Sequence, residues 1–150
     1  MKTILICASV HHGNTRKIAQ YMAKTVGADF VDISQNATPN ISGYDRVGFA
    51  SGVYFQSLHR SICDYIEKAE FRPEQKIFLV VTCGVGYRDY TRGLKKTLEK
   101  KGITGVKSFQ CRGYDTFGIF GKIGGIAKGH PNEKDRKKAE DFIRNLEKEQ

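Results

Sequence analysis

The stretch Thr3-Ile4-Leu5-Ile6-Cys7-Ala8-Ser9-Val10-His11-His12-Gly13-Asn14-Thr15 decides how the rest of the chain is read. Its first six residues form an almost continuous apolar run, as expected for a strand buried on both faces. The next seven are polar and contain a glycine, so the strand gives way to a loop at Ser9. Ile18, Tyr21, Met22 and Val26 then recur at i, i+3, i+4 and i+8, which places a helix behind the loop, and Gly27 ends it. The loop offers hydroxyls at Ser9 and Thr15, an amide at Asn14, and close backbone approach at Gly13. It runs into a helix N-terminus, where free N–H groups and the helix dipole favour an anion.

Working outward, the same alternation repeats. Phe30 to Ile33 reads as a second strand, and residues 34–44 as a connection. Arg46 to Ser51 is a third strand, Gly52 to Leu58 a loop, and about 59–69 a helix with Ile62, Tyr65 and Ile66 on one face. Ile77 to Val81 is the most strongly apolar strand. It leads through a loop at Thr82 to Tyr87 into a helix over about 90–101, marked by Leu94 and Leu98. A fifth strand covers 105–111. Residues 113–131 are glycine-rich and irregular, and Asn132 caps a final helix with Asp135 three residues on. Five alternations of strand and helix predict βαβ units and a parallel sheet covered on both faces.

The length of 150 residues fits a single domain, 1–150, with a core large enough to need no staples. Composition is ordinary for a globular protein, at 39% hydrophobic and 27% charged. No apolar run approaches the ~20 residues of a membrane span. Ile4 to Ala8 is too short for a signal-peptide core, so a cytoplasmic location is expected. Cys7, Cys63, Cys83 and Cys111 are widely spaced with no C-x-x-C pair, which removes the usual zinc and dithiol signatures. The net charge of +9 is uneven, at +1 over residues 1–75 and +8 over 76–150. Such a surface can meet an acidic protein, an anionic lipid or nucleic acid. Basic residues do not interleave with aromatics on one element, which disfavours a nucleic-acid-binding module.

In an open parallel sheet, ligands sit beyond the carboxyl ends of the strands. The loops there begin at Ser9, Gly52 and Thr82. No G-x-x-x-x-G-K-[ST] is present, and no G-x-G-x-x-G follows the first strand, so nucleotide triphosphatase and dinucleotide sites of those types are excluded. Adjacent His11 and His12 have no third ligand nearby and make a poor metal site. Aromatics at strand ends, Tyr54, Phe55, Tyr87 and Tyr90, suit a flat, partly apolar ligand.

Ser9-x-x-His12-Gly13-Asn14-Thr15 followed by Ala19 resembles the phosphate loop of the flavodoxin family. Ser51-Gly52-Val53-Tyr54-Phe55 is similar to that family's second flavin loop, and Thr82-Cys83-Gly84 with Tyr87 and Tyr90 to its third. The resemblance implies a flavodoxin-like, three-layer α/β/α sandwich whose five parallel strands run in the order 2-1-3-4-5. It implies FMN, bound by Ser9, His11, His12, Gly13, Asn14 and Thr15, by Gly52, Val53, Tyr54 and Phe55, and by Thr82, Cys83, Gly84, Tyr87 and Tyr90. Gly52 would lie against the flavin through its backbone, where a small residue lets a peptide turn over as the flavin is reduced. The implied function is electron transfer to or from a protein redox partner, with no catalytic residues of its own. The alternative is an FMN-dependent oxidoreductase acting on a small molecule such as a quinone or a tetrapyrrole precursor. The chain has no Trp, and its flavin loops carry Arg88, His59 and Arg60 with Asp89 alone opposing them. That inversion of the family's acidic character points to an acidic, ferredoxin-like partner.

Overall fold

The computed structural model describes residues 1–9, 13–35, 37–54, 56–86, 88–113 and 125–149. In chain order the elements are β1 (Thr3–Ala8), α1 (Asn14–Val26), β2 (Asp29–Asp32), a 3-10 turn (Ile33–Gln35), β3 (Arg46–Tyr54) and β4 (Ser57–Leu58). Then come α2 (Arg60–Lys68), β5 (Lys76–Cys83), α3 (Arg92–Lys100), β6 (Lys107–Arg112) and α4 (Glu133–Lys148). Gly27 ends α1 in the left-handed conformation, at φ 66°. The Ala28 amide then closes on the Ala23 carbonyl at 2.8 Å.

The sheet runs β2-β1-β3-β5-β6. All four of those neighbouring pairs are parallel. This is the expected order 2-1-3-4-5 once the short β4 is set aside. The expected loop from Gly52 to Leu58 is corrected: β3 continues through Tyr54 and returns as β4, with Val53 opposite Leu58 and Tyr54 opposite Ser57. Val53 and Tyr54 favour extended backbone and prolong the strand. The two-residue connection then needs positive φ, which Gln56 supplies at 66°.

Side chains alternate between two cores. Ile4, Ile6, Val47, Phe49, Ile77 and Leu79 pack with Ile62 and Ile66 of α2 and Leu94 and Leu98 of α3. Leu5, Cys7, Ala50, Phe78, Val80 and Cys111 pack with Ile18 and Met22 of α1 and Ala139 and Ile143 of α4. The period of two along each strand is what a sheet covered on both faces requires. Gly48 is fixed by this packing, since a Cβ there would lie 2.3 Å from Phe78 Cζ and 2.8 Å from Leu5 Cδ2.

Helix α4 is tied at both ends. Asn132 accepts from the Asp135 amide at 3.0 Å, and Asp135 accepts from the Asn132 amide at 2.8 Å, a complete capping box. At the far end the buried Arg46 donates to the Leu146 carbonyl at 2.6 Å, the Glu149 carbonyl at 3.2 Å and Glu147 Oε1 at 2.6 Å. A cation at a helix C-terminus satisfies carbonyls that have no partner within the helix.

Candidate functional site

The first loop ends at Gly13, the N-cap of α1, with φ 64° and ψ 21°. Among the described residues no side-chain cap bond is made at Gly13, and the first turn of the helix carries no acidic residue. Ser9, Asn14 and Thr15 are all buried. Thr15 Oγ1 lies 2.6 Å from Thr82 Oγ1, so the start of α1 is hydrogen-bonded to the end of β5. Asn14 lies across Gly113, where a Cβ would come within 2.8 Å of its side-chain nitrogen. The Gly113 amide in turn donates to the Cys83 carbonyl at 2.9 Å. The first loop, the third loop and the end of β6 therefore meet at one point. His11 and His12 lie outside the described residues.

The second expected segment is a strand and hairpin. Gly52 stands in β3 opposite Thr82 of β5. Its carbonyl accepts from Ser51 Oγ at 2.7 Å, and Ser51 Oγ accepts from the His59 amide at 2.8 Å. A Cβ on Gly52 would stand 3.0 Å from the Tyr54 hydroxyl oxygen, so the absence of a side chain makes room for the half-buried Tyr54. The loop expected to begin at Gly52 is thus a paired strand at that position, and among the described non-glycine residues of this segment Gln56 has positive φ. Val53 is half-buried beside it. Phe55 lies outside the described residues.

In the third loop Thr82, Cys83 and Gly84 are buried at the end of β5. Two side chains of the edge strand β6 hold the remainder of the loop. Arg112 donates to the Gly84 carbonyl through Nε at 3.0 Å and Nη2 at 2.8 Å. Gln110 donates to the Arg88 carbonyl at 2.5 Å and accepts from the Tyr90 amide at 3.3 Å. Because a peptide N–H points opposite to its C=O, turning the Gly84 carbonyl toward Arg112 turns the Val85 amide away from it. Tyr90 closes the loop on itself, its hydroxyl donating to the Val85 carbonyl at 3.1 Å. Sequence reading missed Gln110, Arg112 and Gly113. The available signal was two long polar residues at a spacing of two on an edge strand, followed by glycine. Tyr87 lies outside the described residues.

Between the β3–β4 hairpin with α2 and the third loop with α3 lies a groove of about 650 Å³, lined by residues that include Gln56, Leu58, Cys63, Arg88, Tyr90 and Leu94. Arg88 donates to Gln56 from one wall to the other. Of the cations expected here, Arg88 alone spans the two loops. Arg60 is exposed and pairs with Asp64 at 3.6 Å. His59 caps α2, accepting from the Ser61 amide at 3.1 Å. Asp89 accepts from the Thr91 hydroxyl at 2.5 Å and its amide at 2.9 Å, and these bonds hold its carboxyl below the ordinary range. Burial pushes the Cys7 and Cys111 thiols up to about 12, so neither is a thiolate at neutral pH. All four cysteines are free. Among the described residues no three His, Cys, Asp or Glu side chains form a metal-binding group, and no helix is long and apolar enough to cross a membrane.

This combination of doubly covered parallel sheet and three converging strand ends has a counterpart among known proteins. The family model described as a flavodoxin domain matches residues 5–123, and the chain belongs to that family. An uncharacterised protein of Methanocaldococcus jannaschii is 37% identical over 148 residues, which span 97% of this chain and 98% of the relative. The flavodoxin of Streptococcus pneumoniae TIGR4 superposes with a TM-score of 0.71 at 15% identity, over 100% of both chains. An FMN-dependent NADH-azoreductase from Bacillus anthracis, solved in complex with FMN, gives 0.67 at 10% identity, over 97% of this chain and 99% of that one. At such identities the two structures share the fold.

FMN is the cofactor that family membership implies, and the residues present fit it. Among the described residues the α1 N-terminus has no side-chain cap bond and no carboxylate in its first turn to oppose a phosphate. Gly13 adopts a backbone conformation open to glycine at little cost.

Proposed function

We propose that the chain binds FMN non-covalently and passes electrons to or from a protein redox partner. The observation that carries this reading is the join between Thr15 and Thr82, which draws the uncapped start of α1 and the third loop together at the strand ends. In this reading Ser9, His11, His12, Gly13, Asn14 and Thr15 hold the phosphate. Gly52, Val53, Tyr54 and Phe55 border the flavin ring on one side, and Thr82, Cys83, Gly84, Tyr87 and Tyr90 on the other. FMN supplies the electron-accepting ring. The chain orients it, excludes water and sets the charge around it. The absence of an acidic residue from the α1 first turn favours the anionic cofactor, and the excess of cations favours an acidic partner.

A second reading is favoured by the groove, whose volume of about 650 Å³ lies within the range of small-molecule sites. On that reading the protein is an FMN-dependent oxidoreductase acting on a quinone-like substrate.

The test is anaerobic reduction of the FMN-loaded protein followed by mixing with two acceptors, an acidic ferredoxin and a soluble quinone. The carrier reading expects rapid, salt-sensitive electron transfer to the ferredoxin and no saturable turnover of the quinone. Saturable quinone turnover with slow, salt-independent transfer to the ferredoxin would replace it with the enzyme reading.

A further inference from the structure

Arg88, Arg92, Lys96 and Lys100 recur every four residues, from the third loop down the length of α3. All four side chains are exposed. Arg88 and Arg92 also line the groove between the two loops, so the row begins at the candidate site and runs away from it. Among the described residues no carboxylate lies within 4.0 Å of Arg92, Lys96 or Lys100, while Arg88 bonds the neutral Gln56. The neighbouring lysines are otherwise employed: Lys95 donates to Ser108 Oγ at 2.9 Å and Lys101 to the Ala69 carbonyl at 3.0 Å.

This row works against its own helix. Arg92 and Lys96, and Lys96 and Lys100, are like charges one turn apart, which destabilises a helix. Arg92 stands at the first helical position, where the dipole disfavours a cation, and the first turn of α3 carries no acidic residue. Asp89 precedes the helix and accepts from the Thr91 amide and hydroxyl; the charges of Lys95 and Arg92 also favour its ionised form, so it offsets part of this cost at the start of the row. Glu99 meets none of the row within 4.0 Å among the described residues. Helix α4 pairs more of its cations, although Lys134 and Lys138, exposed and one turn apart, make no ion pair among the described residues. There Arg136 pairs with Glu133 at 2.7 Å, Lys137 with Asp141 at 3.1 Å and Arg144 with Glu140 at 3.0 Å.

We infer that the row Arg88–Arg92–Lys96–Lys100 is the docking surface for the redox partner, and that the partner presents a complementary row of carboxylates. The inference rests on the FMN-carrier reading of the adjacent site. An acidic protein seated on α3 would relieve the like-charge repulsion along the helix. Its contact would also reach the groove through Arg88 and Arg92, next to the loops proposed to hold the flavin. What sets the α3 row apart from the unpaired Lys134 and Lys138 of α4 is its run of four cations and its start in the groove lining at Arg88 and Arg92.

The test compares two double reversals that change net charge equally, Arg92→Glu/Lys96→Glu on α3 and Lys134→Glu/Lys138→Glu on α4. Each FMN-loaded protein is titrated with a plant-type [2Fe–2S] ferredoxin as the acidic probe, at low and high salt, and with a single-stranded oligonucleotide. The expected result is a loss of about tenfold or more in ferredoxin affinity for the α3 variant at low salt, vanishing at high salt, against less than about threefold for the α4 variant. Both variants should keep wild-type FMN affinity and melt no lower than wild type, so folding does not confuse the outcome. Equal losses in the two variants, or none in the α3 variant, would overturn the assignment. Tighter binding of the oligonucleotide than of ferredoxin, lost in the α3 variant, would assign the row to nucleic acid instead. Failure of wild type to bind FMN in a separate flavin titration would overturn the carrier reading and with it the redox role of the partner, whereas normal FMN binding with equal losses in the two variants would overturn the docking surface alone.

Discussion

Helices α3 and α4 pack on opposite faces of one sheet and treat their charges in opposite ways. Helix α4 opens with a capping box, pairs three of its cations with acids of its own, and ends on the guanidinium of Arg46. Helix α3 has no side-chain cap bond at Thr91, no acid in its first turn, and a cationic row that makes no ion pair within 4.0 Å among the described residues, although Asp89 lies near enough to Arg92 for the charges to interact. The difference begins in composition, since α3 sets four cations against the single acid Glu99, while α4 sets six cations against five acids. Among the described residues α4 also keeps an unpaired like-charged pair, Lys134 and Lys138, but of the two helices only α3 brings its cations to the groove beside the loops proposed to bind the cofactor. Conflicts of this kind are expected where function competes with stability.

The comparison can be broken most forcefully from the α4 side. Arg46→Met should remove three hydrogen bonds from the α4 C-terminus and destabilise the protein by about 2–4 kcal/mol, read by urea unfolding. A near-neutral result would mean that water satisfies those carbonyls as well as arginine does. Asn132→Ala should dismantle the capping box at a cost of about 1 kcal/mol, measured in the same way. Thr91→Ala at α3 should cost a similar amount for a different reason, since the buried Thr91 hydroxyl donates to Asp89 and does not cap the helix. Smaller still, and opposite in sign, Arg92→Glu should stabilise the protein by about 0.3–1 kcal/mol by relieving the dipole and the like-charge neighbour. A loss of stability would show that α3 is not in conflict.

The smallest effect concerns Asp89. Its folded carboxyl titrates below the ordinary value because Thr91 donates to the charged form. The stability it lends is complete above the unfolded carboxylate pKa and is lost as pH falls through the lower folded value, below about pH 4. Asp89→Asn should remove that contribution at neutral pH and flatten the acid limb, so that the two proteins converge in stability in strong acid. An unchanged acid limb would mean that the two Thr91 bonds do not distinguish the charged carboxylate.

Much of the fold was legible because its strands are buried on both faces. Thr3–Ala8 and Lys76–Cys83 read as apolar runs, and Gly27 and Asn132 punctuate helices where the sequence says they should. The second loop was misread because hairpins this short carry no periodicity. Val53 and Tyr54 suit a strand, and the turn uses Gln56 in place of the glycine or asparagine that would have signalled it. In the candidate site, the contribution of β6 was illegible for a different reason. Arg112 and Gln110 act on backbone carbonyls more than twenty residues earlier, and only the parallel register brings Cys83 beside Arg112. Arg46 hid in the same way, reading as the polar start of a strand while its partners lie a hundred residues on. Long-range hydrogen bonds to backbone leave no pattern in local sequence.

The central claim is that the uncapped start of α1 and the Thr15–Thr82 join form a cofactor cradle. The most direct measurement is equilibrium titration of the apoprotein with FMN and FAD, followed by flavin fluorescence, in wild type and in Thr15→Val. A cradle of this kind predicts tight one-to-one binding of FMN with weaker binding of FAD, and a loss of ~1–3 kcal/mol in FMN affinity for the variant with its fold intact. Tighter binding of FAD than FMN, or an FMN affinity unchanged by Thr15→Val, would contradict it.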